Sequence, residues 1–150
     1  MADGPEPPQL TSDPDWAWLK ELEYLTTREC FELLRTRELG RVGFQVAERP
    51  VILPVNYRVL TNAVAFRTEP GTKLTAALTR ARVAFEVDHA ATGGRSGWSV
   101  LVVGHATELS DEASLQEAER LGISPWAPGT REHFVVIAAE EVSGRRFGRS

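Results

Sequence analysis

The sequence predicts a mainly β fold, with six or seven short antiparallel strands and a few short helices that flank them. Three observations favour this α+β class. Apolar residues alternate with polar ones over short runs, turns of hairpin length join most of these runs, and one short helix separates two consecutive strands. Because so many short strands would leave exposed edges in an open sheet, we expect the sheet to close into a barrel.

Length and composition limit the classes of protein that this chain can represent. It has 150 residues, 42% of them hydrophobic and 25% charged, which is typical of one globular domain and excludes a collagen-like or coiled-coil protein. The net charge of −4 argues against a general nucleic-acid binder, which is usually basic. No apolar run approaches the roughly 20 residues that cross a bilayer. We therefore expect a cytoplasmic protein with no membrane or nucleic-acid partner.

The chain begins with a proline-rich segment. Residues 1–14 contain four of the nine prolines and are predicted to form a flexible tail, and residues 15–150 are predicted to form a single domain. Between Trp16 and Leu25, apolar residues at mixed spacing predict a short helix or an arm that packs on the domain. The one cysteine, Cys30, is predicted to be a buried, reduced thiol.

The elements follow from the apolar pattern and its interruptions. The first helix is predicted to begin at Thr26, which forms a capping-box pattern with Glu29, and to end at Gly40. A turn is predicted at residues 48–50. The predicted strands cover residues 41–46, 51–59, 63–68, 82–88, 98–109 and 133–138, with a short seventh at 145–147. Further helices are predicted at residues 72–79 and 111–121, the second capped by Ser110 or Asp111.

The segment from residue 66 to residue 74 is the first candidate for a functional site. A strand ends in Arg67 and Thr68, a Pro-Gly turn follows, and a helix begins with Thr72 and Lys73. Guanidinium and ammonium groups, hydroxyls and the free N–H groups of a helix start suit a phosphate monoester. The alternative is a threonine cap beside two solvated basic residues, which the spacing alone favours.

The second candidate is the strand segment that contains Pro54, Val55 and Asn56. Proline in a strand implies a bulge or an edge position and deprives a neighbouring strand of one N–H partner, so the backbone here could face a planar ligand with polar edges. An edge strand with one tolerated proline is the simpler interpretation. Trp98 and Trp126 lie beside glycine or proline turns, where each could contact an aromatic ligand or fill the core.

Other polar residues give weaker signals. Glu86 and Asp88 are two residues apart and lie on the same face of a predicted strand. They could form an acid/base pair, but the simpler interpretation is that this face is exposed to solvent. The three histidines are far apart in sequence, so their spacing does not predict a zinc site. The dinucleotide-binding, phosphate-loop and nucleophile-elbow motifs do not occur in the sequence.

Several segments in this order together resemble the pyridoxamine 5'-phosphate oxidase-like family, and most closely its small actinobacterial branch related to nitroimidazole reductases. The resemblance covers roughly residues 25–147. The segments that carry it are Gly40-Arg41-Val42-Gly43-Phe44, Leu53-Pro54-Val55-Asn56-Tyr57, Phe66-Arg67-Thr68 with Gly71-Thr72-Lys73-Leu74, Val83-Ala84-Phe85-Glu86-Val87-Asp88 and Gly97-Trp98-Ser99-Val100-Leu101-Val102-Val103-Gly104.

The resemblance implies a split β-barrel, FMN as cofactor and a homodimer with two sites at the subunit interface. Arg67, Thr68, Thr72 and Lys73 would hold the flavin phosphate. Pro54, Val55 and Asn56 would approach the isoalloxazine ring, largely through backbone groups, while Trp98 and Trp126 would lie near the ring, Trp126 from across the interface.

The likeness does not identify the substrate, because the Arg-x-His segment that engages pyridoxamine 5'-phosphate in the oxidases has no clear equivalent here. The expected function is thus that of an FMN-dependent oxidoreductase acting on an unknown small molecule. Two alternatives stay open: a flavin-binding module without turnover, and the same fold holding deazaflavin F420 or haem.

Overall fold

A computed structural model describes residues 22–67, 73–109, 111–122 and 134–148 and shows eight antiparallel strands with three short helices. The predicted tail at residues 1–14 lies outside the described residues. None of the described helices is long and apolar enough to span a membrane. The elements are β1 (Glu23–Tyr24), α1 (Thr27–Leu34), β2 (Leu39–Val46), β3 (Arg49–Leu60), β4 (Ala63–Arg67), α2 (Lys73–Leu78), β5 (Arg82–Ala90), β6 (Gly97–Glu108), α3 (Glu112–Arg120), β7 (Phe134–Ala138) and β8 (Glu141–Phe147).

Six of these strands close into a barrel, as the sequence predicted. The closed order is β6-β5-β2-β3-β4-β7, with β7 pairing back to β6. Strand β8 also pairs with β6, and β1 pairs with β8. The two 12-residue strands, β3 and β6, each serve both halves of the barrel. Strand β3 pairs with β2 up to Asn56 and with β4 from Tyr57, which divides the barrel into two sheets.

Side chains fill the barrel interior. Tyr57 and Phe85 are buried there and meet edge to face, with ring centroids 4.9 Å apart. Helix α1 covers the core with Cys30, Phe31 and Leu34, and the Tyr57 hydroxyl donates a hydrogen bond to the Leu34 carbonyl. The predicted burial of Cys30 is confirmed, and this burial raises the pKa of its thiol, which makes a reactive thiolate unfavourable.

Helix α1 has the predicted start but not the predicted end. The Thr26 side chain accepts a hydrogen bond from the Glu29 N–H at 3.2 Å, and Glu29 Oε1 accepts one from the Thr26 N–H at 3.0 Å, which confirms the capping box. The helix ends at Leu34, so the prediction that Gly40 ends it is wrong. Gly40 lies in β2, where a Cβ atom would come within 2.6 Å of the Phe85 ring. This glycine therefore allows close packing rather than stopping a helix.

The turn between β2 and β3 also differs from the prediction. It consists of Ala47 and Glu48, both with positive φ, and Arg49 pairs with Val46 as the first residue of β3. The predicted turn at residues 48–50 is thus displaced by one residue. Two-residue hairpins favour positive φ at both central positions, because that geometry matches the twist of the strands. Tertiary pairing imposes this conformation on two residues that do not favour it.

The turn between β7 and β8 folds tightly against β6. A Cβ atom on Gly104 would lie 1.7 Å from the Ala138 carbonyl oxygen, so only glycine allows this approach. The Glu140 N–H donates to the Val103 carbonyl at 3.1 Å. The Glu140 carboxylate accepts hydrogen bonds from the His105 backbone and ring, and lies 3.2 Å from Arg82 Nε. These contacts lower the pKa of Glu140, the His105 side-chain hydrogen bond being the largest cause.

We expect Glu140→Gln to destabilise the protein at neutral pH and to lose this effect in acid. The folded-state pKa of Glu140 lies below its ordinary value of 4.5. The stabilisation that the ionised Glu140 carboxylate provides is therefore complete above pH 4.5 and disappears as pH falls through the folded-state pKa. Urea unfolding of both proteins between pH 7 and pH 3 measures the difference. Glu141→Gln is the matched control, because Glu141 contacts the same Arg82 but not His105. An equal loss in the control, or a difference that does not shrink as pH falls, would contradict the expectation.

Candidate functional site

The segment with Pro54 and Asn56 forms an edge of the barrel. The Tyr57 N–H donates to the Glu38 carbonyl at 2.9 Å, and backbone groups alternate along a strand, so those of Pro54 and Asn56 face away from β2. Among the described residues, no strand pairs with that side of β3 before Asn56. The predicted edge position of Pro54 is confirmed. The predicted loss of a partner N–H is wrong, since Pro54 opposes Arg41 between two ladder hydrogen bonds.

The three residues of this segment point in different directions. Val55 is 7% exposed and belongs to the hydrophobic core, so its side chain faces the barrel interior. Pro54 and Asn56 are half-buried and alternate with it, which puts them on the outer face. A ligand on the outer face of β3 would therefore meet the side chains of Pro54 and Asn56, while Val55 supports the strand from within.

Arg67 lies next to this edge at the end of β4. The register pairs Tyr57 with Phe66, and its continuation puts Asn56 opposite Arg67. The guanidinium carbon of Arg67 is 5.2 Å from the ring centroid of Phe134, the residue opposite it on β7, and Arg67 Nε is buried. A cation over an aromatic face is held in place by the ring's negative face. No sequence pattern indicates the Phe134 contact, because residues 67 and 134 meet only when β4 pairs with β7.

Helix α2 begins at Lys73, close in sequence to Arg67, as predicted for a phosphate-binding segment. Thr68, Thr72 and Trp126 lie outside the described residues. The structure thus puts Arg67 next to Asn56 at the β3 edge. Helix α2 begins a few residues further along the chain.

Trp98 occupies a different part of the barrel. Strands β2 and β5 separate its strand, β6, from β3, so the structure does not bring Trp98 to Asn56 and Arg67 within one chain. Its side chain packs against the hydrophobic core, which was one of the two predicted roles. It also lines a cavity of about 130 Å³ together with His89 and Phe147.

The possible acid/base pair is bridged by an arginine. Arg41 NH1 lies 3.8 Å from Glu86 Oε2 and 3.9 Å from Asp88 Oδ2 on the outer face of the barrel. Burial, followed by the hydrogen bond and negative charge of Asp88, raises the pKa of Glu86 to about 7, while Arg41 opposes the rise. Sequence reasoning missed Arg41, which lies opposite Glu86 only in the β2–β5 register. Glu86 can therefore exchange a proton near neutral pH, although it is not enclosed in a cleft.

This arrangement suits a planar ligand that carries an anionic group. The outward backbone carbonyl of Pro54 faces away from β2 and can meet the polar edge of a ring. Arg67, whose backbone lies next to Asn56, offers a planar set of charged donors, which matches the geometry of a phosphate. The residues present therefore fit a flavin nucleotide, with the ring at β3 and the phosphate toward Arg67 and α2.

Comparison with known proteins identifies the family of this chain. The sequence model of the pyridoxamine 5'-phosphate oxidase family matches residues 26–146. An uncharacterised protein of Mycobacterium tuberculosis is 36% identical over 133 residues, which cover 85% of this chain and 87% of that protein. The solved structure of an FAD-binding protein from Mycobacterium smegmatis has 39% identity and a TM-score of 0.72, and the match covers 83% of this chain and 97% of that one.

A more distant structure shares the fold. A candidate 5-nitroimidazole antibiotic resistance protein from Bacteroides thetaiotaomicron has a TM-score of 0.66 at 13% identity, with 85% of this chain and 89% of that chain covered. The family match spans the barrel from the capping residue of α1 to β8, and therefore includes both the β3 edge and the segment after Arg67. On this evidence the chain belongs to the pyridoxamine 5'-phosphate oxidase family and has its flavin-binding split-barrel fold.

Proposed function

We propose that this protein is an FMN-dependent oxidoreductase that acts on a small molecule. The position of Arg67 carries the proposal, because its backbone lies at the end of β4 next to Asn56 and its guanidinium group is held over the Phe134 ring. Arg67 and Lys73, with Thr68 and Thr72, would hold the phosphate. A bound flavin supplies the redox chemistry, so the chain needs only to bind and orient it.

The backbone of Pro54, Val55 and Asn56 would fix the edge of the ring, and Trp98 and Trp126 would contact the ring and limit water. Among the residues that the structure describes, none is identified as a necessary proton donor. Glu86 is on the same outer face as Pro54, one strand beyond Arg41, and its pKa of about 7 suits proton exchange.

FAD is the second candidate cofactor, because the similar protein from M. smegmatis is described as FAD-binding. The absorption spectrum of the purified protein distinguishes a flavin from deazaflavin F420 and from haem. Chromatography of the released cofactor then separates FMN from FAD. A haem or F420 spectrum would refute the proposal, whereas FAD would change the cofactor and keep the flavin site.

Turnover separates an oxidoreductase from a flavin module used for storage or sensing. The flavin-loaded protein is reduced under anaerobic conditions with NADH or NADPH and then exposed to oxygen or to a nitroaromatic acceptor. Catalytic cycling faster than free flavin supports the oxidoreductase. Reduction and reoxidation at the rates of free flavin would favour the binding module.

We also propose that the protein acts as a homodimer with two equivalent flavin sites. Side chains of the described residues pack the barrel interior, so we place a three-ring cofactor outside it. Trp98 is two strands away from the β3 edge of its own chain, so a second copy would have to supply it. The outer sheet face offers a surface for that copy, with Ile52 70% exposed beside the small residues Gly43 and Ala84.

FMN is expected to tighten this dimer, because a ligand that binds only the assembled state favours it by linkage. Sedimentation velocity at falling protein concentration, with and without FMN, measures the shift. Trp126→Ala should weaken FMN binding if its loop reaches across the interface. Tyr24→Ala, which removes an aromatic side chain that is 74% exposed, is the control. A monomer with stoichiometric FMN would overturn the dimer proposal, and normal binding by Trp126→Ala would overturn only the role of that residue.

A further inference from the structure

An open groove lies at the end of the barrel next to the β3 edge. It has a volume of about 620 Å³ and is lined by Arg35 and Arg37 from the turn after α1, by Leu39 and by the end of β5. Leu39 pairs with Asn56 in the β2–β3 ladder. The groove therefore adjoins the β3 edge, where we propose that the flavin ring binds.

The groove carries positive charge without matching negative charge. Its acidic residues already have partners, since Asp88 lies 3.9 Å from Arg41 and Glu38 lies 3.1 Å from Arg58. Within the part of the chain that the structure describes, no carboxylate forms an ion pair with Arg35 or Arg37. Two exposed guanidinium groups in a chain of net charge −4 create a local surface that attracts anions.

The smaller cavity at Trp98 shares one lining residue, His89, with this groove. Its volume is about 130 Å³, and Phe147 forms another part of its wall. A dry cavity of about 150 Å³ is large enough to hold benzene, so one six-membered ring nearly fills a space of this size. An aromatic ring placed in this cavity would contact its lining residues, which include His89, Trp98, Arg146 and Phe147.

We propose that this end of the barrel binds a small planar aromatic acid. The ring occupies the cavity at Trp98 and Phe147, and the acidic group lies in the groove, where Arg35 and Arg37 donate hydrogen bonds to it. That this acid is the substrate rests on the proposed function, because Trp98 is one of the residues proposed to contact the flavin. Binding of the acid itself depends only on the two cavities and their charges.

Calorimetric titration of the purified protein with benzoate tests this proposal. We expect saturable binding that weakens about tenfold or more in the variant Arg35→Gln/Arg37→Gln, since charged hydrogen bonds are among the strong ones. The control Arg28→Gln/Arg49→Gln removes two exposed arginines outside both cavities and should bind benzoate normally. Acetate lacks the ring and benzyl alcohol lacks the charge, so each should bind at least about tenfold more weakly than benzoate.

Three results would overturn the proposal: no binding of benzoate, unchanged affinity in the Arg35→Gln/Arg37→Gln variant, or acetate binding as tightly as benzoate. The cofactor measurement separates this failure from that of the proposed function. If the flavin-loaded protein does not bind benzoate, only the proposed aromatic-acid site is refuted. A protein without flavin that binds benzoate at Arg35 and Arg37 would keep the site and refute its role as the substrate site of a flavoenzyme.

Discussion

FMN affinity is expected to fall by about 100- to 10,000-fold when Arg67 and Lys73 are both replaced by alanine. Each charged hydrogen bond to a phosphate contributes roughly 1.5–3 kcal/mol, and about 1.4 kcal/mol corresponds to a factor of ten. Riboflavin has the same ring without the phosphate, so its affinity should barely change. Titrations that follow the quenching of flavin fluorescence measure both affinities on the same protein.

A charge-matched control separates direct contact from a general loss of positive charge. Arg49→Ala/Arg80→Ala removes two exposed arginines and changes the net charge by the same amount. This variant should bind FMN within about twofold of the unchanged protein, because exposed charges at a distance are screened. Equal losses of FMN and riboflavin in the Arg67→Ala/Lys73→Ala variant would contradict the phosphate assignment and indicate damage to the fold or to the ring site.

Gly104→Ala is expected to destabilise the protein by about 3 kcal/mol, which is the upper part of the range for overpacked sites. The added methyl group would lie 1.7 Å from the Ala138 carbonyl oxygen, so the β7–β8 turn must move away from β6. The melting temperature should fall by roughly 6–12 °C for a chain of this size. Thermal unfolding followed by circular dichroism measures this shift.

Gly43→Ala provides the matched control, since Gly43 also lies inside a barrel strand. Its nearest neighbours beyond the adjoining residues are 3.9 Å from the added Cβ atom, an ordinary contact distance. The same substitution should therefore leave stability within about 1 kcal/mol or raise it slightly, because alanine restricts the unfolded chain. Similar melting temperatures for the two variants would show that the close approach at Gly104 does not limit the fold.

The strands were predictable from sequence because each has its own local signal. Alternating apolar residues located all six barrel strands, and Thr26 with Glu29 located the start of α1. Gly40 was misinterpreted because glycine after an apolar run is a common helix stop, whereas here it makes room for Phe85. The contact that decides its role joins β2 to β5 and has no local signature.

The candidate site was predictable only in part, for the same reason. The family resemblance predicted a phosphate-binding role for Arg67, although spacing alone favoured a solvated basic residue, and proline indicated the edge of β3. The Phe134 ring that holds Arg67, and Arg41 between the two carboxylates, come from strands distant in sequence. Trp98 shows the opposite case, because the family resemblance implied a ligand contact while the strand order separates it from the β3 edge.

The closure of the barrel by β7 has a consequence for how the chain folds. Ala63 pairs with Ala138 and Arg67 with Phe134, so these ladders join segments separated by nearly half of the sequence. Such pairing must first overcome the entropy of closing a long loop, and barrels of this kind fold on a scale of about milliseconds to seconds. During synthesis, one edge of β4 stays unpaired until β7 has left the ribosome. That interval, rather than the finished barrel, is when the protein is most exposed to aggregation.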